Sequence, residues 1–319
     1  MAGVDAGEVD GHGRARTDES ARLGCVLKAL LTIIVALAVL AGCGPDTTAS
    51  QDVALLITED FGAGQLLRAE LPAQDGETVA GLLDRAGRPV EAAAAGSIHV
   101  NGVASEDGAQ ERVRPGDQVW IDVHGADVAA PQPPAVVGAF PAPFTTGIGP
   151  DRIPTRVECV DPGSEPCRAV TETSVDLGLP AGSGAVGNAR ADETLRVLVG
   201  PWRRLRNAAE AAYLISAGPA RSGVYARFAR DARSLEVLDP AGRPSETLAA
   251  GAGLIAATRA SARRPVWFVT GTDAAGVRAA AQAFDAQTLG QKLAVAIADG
   301  RAVRLPSVTP PPPDDRPNA

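Results

Sequence analysis

Arg114-Pro-Gly-Asp-Gln-Val-Trp-Ile-Asp-Val-His124 joins a Pro-Gly-Asp turn to an unbroken period-two alternation, and the fold of the first third of the chain can be read outward from it. Successive strand residues point to opposite faces, so Val119, Ile121 and Val123 share an apolar face and Trp120, Asp122 and His124 share the other. Just upstream, Ser97-Ile-His-Val100 is a second strand, on which His99 points outward between Ile98 and Val100. Asn101-Gly102 follows it as a hairpin-type turn, because both residues tolerate positive φ. Further back, Val79, Leu82, Leu83 and Ala86 fall at i, i+3, i+4 and i+7, an amphipathic helix that Gly87 and Pro89 stop. The opening is a hairpin: Val53-Ala-Leu-Leu-Ile-Thr58 and residues 65–71 are strands around the turn Phe61-Gly-Ala-Gly64, and Pro72-Ala-Gln-Asp-Gly76 ends it.

Strand, strand, helix, strand, strand, with a Val-Asn-Gly turn and a Pro-Gly-Asp turn before the last strand, resembles the β-grasp fold. Within that fold it is similar to the transcobalamin C-terminal-like domains of bacterial surface lipoproteins. The likeness rests on Ile57-Thr-Glu-Asp-Phe-Gly62, Gly76-Glu-Thr-Val79 with Leu82-Leu83, Val100-Asn-Gly-Val103 and Arg114-Pro-Gly-Asp-Gln-Val-Trp120. The resemblance implies a soluble-ligand-binding module, with a corrinoid as the ligand type and an energy-coupling-factor transporter as companion. Between helix and Val-Asn-Gly strand the family carries a Gly-rich aromatic insertion, whereas here the mainly Ala run of residues 88–96 stands in its place.

Before this module, Ala29-Leu-Leu-Thr-Ile-Ile-Val-Ala-Leu-Ala-Val-Leu40 follows Arg22 and Lys28 and runs straight into Ala41-Gly-Cys-Gly44. A core this short reads as a signal peptide, not a membrane span. Leu40-Ala-Gly-Cys43 resembles the bacterial lipobox, which implies lipidation of Cys43 and cleavage before it. Residues 1–42 carry five acids and four bases, an unusual balance for a leader, which points to a start downstream of Met1. The expected organisation is a leader at 1–42, a tether at 43–51 and the β-grasp-like domain at 52–128. A Pro-rich linker at 129–154, which its apolar Val136-Val-Gly-Ala-Phe-Pro-Ala-Pro-Phe144 should dock on a domain, leads to a second domain at 155–306 and a disordered Pro-rich tail at 307–319.

The second domain alternates strands (near 155–160, 195–199, 223–228, 235–238, 254–258, 266–270 and, last, 293–297) with helices near 168–177, 205–212 and 274–284. The whole reads as an α+β chain whose C-terminal part is α/β with a mixed sheet. A formal charge of −8 and a pI near 5.0 argue against nucleic acid as partner. With 3% aromatic residues there is little for a stacking platform. The partners expected are the membrane, through the lipid, and transporter components, at the extracytoplasmic face.

Cys159 and Cys167 flank Val-Asp-Pro-Gly-Ser-Glu-Pro. In an oxidising compartment they read as one disulfide across a Pro-Gly turn, the alternative being a two-Cys metal site with no nearby His. Gly182-Ser-Gly-Ala-Val-Gly187 has the glycine spacing of a dinucleotide loop but precedes a strand, so it reads as a flexible loop. Thr270-Gly-Thr-Asp273 reads as a helix cap before an anion site. The candidate ligand-binding residues are His99, Asn101, Trp120, Asp122 and His124: two His and a carboxylate could approach a metal, or one His could ligate a corrinoid cobalt beside the Trp ring. A solvated sheet face explains the same alternation. No nucleophile elbow is present, and the paired carboxylates Glu59-Asp60 and Asp314-Asp315 sit in a turn and a tail. The expected action is binding of a soluble ligand in support of uptake, the alternative being an interaction or scaffold protein of the cell envelope without a small-molecule ligand; no catalytic residue, metal or resident cofactor is expected.

Overall fold

The structure, a computed structural model, describes residues 51–88, 96–124, 132–150, 152–187, 193–260 and 264–308. The chain divides after Thr48 into two units, and every described residue belongs to the second. The leader with Cys43, most of the Ala-rich run and the tail from residue 309 lie outside the described residues. Among those residues no helix is long and apolar enough to cross a membrane.

The opening hairpin forms as β1 (Asp52–Glu59) and β2 (Gly64–Pro72), antiparallel with a bulge at Ile57/Thr58. Helix α1 (Val79–Arg85) starts where the Thr78 side chain accepts from the Gly81 N–H at 3.3 Å. Strands β3 (Gly96–Val100), β4 (Val103–Ala104) and β5 (Gln118–Val123) complete a five-stranded sheet ordered β2-β1-β5-β3-β4, with β1 and β5 parallel at its centre. Val53, Leu55, Ile57, Val119 and Ile121 pack with Val79, Leu82 and Leu83 of α1 in one core. Leu56 and Trp120, on the reverse face, belong to a different core, shared with the C-terminal region.

That region is built on a seven-stranded mixed sheet ordered β15-β14-β12-β13-β8-β6-β7, giving an α+β protein. Its parallel part is β6 (Thr155–Cys159), β7 (Gly182–Ala185), β8 (Leu195–Pro201) and β13 (Val266–Gly271). Its antiparallel part adds β12 (Gly253–Thr258), β14 (Ala294–Ala298) and β15 (Arg301–Leu305). A separate antiparallel sheet contains β9 (Ala226–Phe228), β10 (Leu235–Leu238) and β11 (Pro244–Leu248). The linker docks as its apolar composition predicts, through short helix α2 (Ala142–Thr145). Phe140 and Phe144 pack edge-on against Phe284 and Trp267, each pair with centroids 4.9 Å apart. Val136 joins the core that holds Trp120, and its neighbour Val137 joins the core on the other face of the large sheet.

Three readings are corrected and one strand is added to those expected. Residues 182–185 form an edge strand and not a loop: bare Gly182 and Gly184 leave room for the Arg156 side chain, whose Nη1 is 2.9 Å from where a Cβ on Gly182 would lie. Residues 293–297 are not the last strand, since Asp299 and Gly300, both at positive φ, turn the chain into β15. Strand β11 was likewise unread. The helix expected near 205–212 is two, α4 (Trp202–Leu205) and α5 (Glu210–Ser216). The predicted disulfide is present, tying the end of β6 to the start of α3 (Glu165–Asp176) with Cα atoms 5.9 Å apart.

Candidate functional site

The alternation along β5 places Trp120, Asp122 and His124 together as predicted, and the parallel register sets Thr58 beside Asp122. The Trp120 indole donates to Thr58 Oγ1 at 2.8 Å, and that hydroxyl donates to Asp122 Oδ1 at 2.6 Å. Asp60, Phe61 and Gly62 all have positive φ, which turns the N–H groups of Phe61 and Gly62 toward one point. Such a concavity of successive N–H groups suits an anion. Here the anion is Asp122, which accepts from Phe61 at 3.0 Å and Gly62 at 2.7 Å. Gly62 is required twice over, by its φ of 78° and because a Cβ would collide with the Gln291 carbonyl.

The His124 ring stacks on Phe61 with centroids 4.9 Å apart, and Nδ1 lies 3.6 Å from Asp122, outside hydrogen-bond range. Tyr225 meets the same phenyl ring edge-on; its buried hydroxyl makes no hydrogen bond, and burial pushes its pKa up to about 12. Arg304 donates through Nη1 to the Phe61 and Gln291 carbonyls. Burial lowers its pKa, and the charge of Asp122 opposes that.

His99 lies beside Trp120 but turns to the linker, its Nε2 donating to the Pro133 carbonyl at 2.8 Å. Burial lowers its pKa to about 4, against the raising effects of that hydrogen bond and of Asp122, so the ring is neutral with an unpartnered Nδ1. The solvated-face expectation is therefore corrected: Trp120, Asp122 and His99 are each 2% exposed or less. Period two fixes which residues share a face, while what covers the face comes from the linker and residues 291–304. Among the described residues no three His, Cys, Asp or Glu side chains converge as a metal site. The 270–273 turn is a cap, with Asp273 accepting from Gly276 and Gly251 at 2.9 Å each.

Asn101 belongs to a different place. Its amide donates to Asp117 Oδ1 at 2.7 Å and to the Gly147 carbonyl at 2.9 Å. Asp117 also accepts from the Arg114 N–H at 2.8 Å, and burial raises its pKa. This pair underlies an open cleft of about 250 Å³ where the first sheet, residues 148–150 of the linker and Arg259 from the end of β12 meet. Arg259 is mostly buried; Nη2 donates to Glu106 at 3.2 Å and weakly to the Ala104 carbonyl at 3.5 Å, while Nε is buried without a hydrogen bond. Arg112 and Arg114 stand at the exposed rim with Asp107, and Glu111 shares the Ser105 hydroxyl at 3.1 Å. Sequence reading quoted Arg114 only as part of a turn and missed Arg259, which arrives from more than 140 residues away and carries no local signal.

Comparison with protein families, with curated proteins and with solved structures finds no match to this chain.

Proposed function

We propose that this chain is a lipid-anchored extracytoplasmic binding protein without catalytic activity, whose ligand enters the cleft between the β-grasp-like module and the C-terminal region. The β-grasp reading is supported by the order β2-β1-β5-β3-β4 with parallel central strands and a helix on one face. An oxidising compartment is supported by the disulfide, and the anchor by the lipobox-like Leu40-Ala-Gly-Cys43. The observation that carries the binding half is the cleft itself, lined by the mostly buried Arg259, whose Nε has no acceptor and whose Nη2 has only an exposed carboxylate and a long carbonyl contact. At about 250 Å³ it is below the roughly 300–1,000 Å³ of drug-sized sites, which favours a small ligand over a corrinoid.

Fractionation of expressing cells tests the anchor. The wild-type chain should enter the detergent phase and Cys43→Ala should not; a wild-type chain in the cytosol with free thiols at Cys159 and Cys167 would remove the reading. A thermal-shift panel containing cobalamin, cobinamide and small polar solutes tests the binding half. A ligand at a hundred times its Kd adds about 2.7 kcal/mol to the folded state.

A further inference from the structure

We infer that the junction cleft takes a small zwitterion, an amino acid or the end of a short peptide, with its carboxylate on Arg259 and its ammonium on the acidic rim. This rests on the cleft being the binding site proposed above and adds the chemical class of its ligand.

The cleft presents both signs of charge within one small space. Arg112, Arg114 and Arg259 line it together with Glu106, Asp107 and Glu111. With Asp117 below them, a plain anion entering there meets four carboxylates, and a plain cation meets three guanidinium groups. A molecule carrying one of each, a few bonds apart, satisfies both sets. Arg259 is the fixed member: its side chain is 15% exposed, and its Nε is a buried donor without an acceptor. An arginine holds carboxylates best through two parallel N–H groups. The Nη2 group has only the 3.2 Å contact to Glu106, whose side chain is 70% exposed, and the long 3.5 Å contact to a carbonyl. Glu106 is the solvated end of this pair and gains little by holding it, so it gives way to a ligand carboxylate readily. Asp117 lies at the same opening, but Asn101 and the Arg114 N–H occupy its oxygens, so the exposed acids are the ones free to receive an ammonium group.

The test is calorimetric titration of the full chain in detergent with glycine, L-alanine and glycylglycine, and with acetate and methylammonium as single-charge probes. Saturable binding of at least one zwitterion, about tenfold tighter than either single-charge probe, is expected. Arg259→Met, which keeps the buried stem, should weaken that binding about tenfold or more. Arg112→Ala, at an exposed position, should weaken it several-fold and keeps the test informative if Arg259→Met does not fold. Acetate binding as tightly as glycine would overturn the inference, and so would the absence of any saturable zwitterion binding. A thermal shift with another solute of the broader panel and none with a zwitterion would leave the binding-protein reading standing while this inference falls, and fractionation of Cys43→Ala reads the anchor independently of both.

Discussion

Asp122 and Arg259 are charged groups sunk between the same two regions of the chain, and their circumstances are opposite. Asp122 is surrounded by donors from its own sheet and turn, and Thr58, Phe61 and Gly62 occupy it. Arg259 has one exposed carboxylate, a distant carbonyl and an unpaired Nε. A buried charge that is fully hydrogen-bonded fixes structure, whereas one with bonding capacity left over beside a cavity is placed to meet something from outside.

Replacing Asp122 by Ala breaks the first half of this contrast most severely. Three buried donors lose their acceptor, and a loss of about 3–5 kcal/mol in denaturant unfolding is expected. A loss under about 1 kcal/mol would mean that the turn finds other partners. His99 provides a second effect that is read by pH. Its folded pKa of about 4 lies below the ordinary 6.5, so the unfolded chain takes up a proton that the folded chain refuses. The histidine is stability-neutral above pH 6.5, and about 3 kcal/mol should be lost as pH falls from 6.5 through 4. The difference between wild-type and His99→Gln stability curves isolates this from the carboxylates, and parallel curves would show that His99 is not buried neutral. Removing the disulfide with Cys159→Ser and Cys167→Ser together should cost roughly 2–3 kcal/mol, measured as the shift in unfolding midpoint. The smallest effect is expected at Arg259: Arg259→Met should change stability by less than about 1 kcal/mol, since only a pair with one solvated partner and a weak carbonyl contact are lost and the buried Nε has no bond to lose. A large loss there would place Arg259 in the same class as Asp122 and erase the contrast.

The legible parts of this molecule are those where local chemistry determines the outcome. The alternation of β5, the Asn101-Gly102 turn and the spacing of Val79, Leu82 and Leu83 each state their structure within a few residues, and the apolar linker announces its burial. The turn at Asp299 and Gly300 is just as explicit, but in the strand after it Arg301 and Arg304 interrupt any apolar run. Residues 182–185 could not be read, since glycine is a poor strand former and its reason lies on the neighbouring strand, in the Arg156 side chain. The candidate site divides similarly. The alternation places Trp120, Asp122 and His124 on one face, but their cover and the partly paired guanidinium of the cleft come from residues whose proximity is decided only by the tertiary fold.

The docked linker bears on how such a chain can be inherited. Val136 and Val137, adjacent in sequence, are set in different cores, and Phe140 and Phe144 complete an aromatic cluster with Trp267 and Phe284. A gene fragment ending near residue 128 would carry off a sheet whose Trp120 face has no cover, and one beginning near 155 would leave Trp267 and Phe284 without their partners. Recombination at either boundary should thus yield halves prone to aggregation, and descent would keep the two regions together as one heritable block.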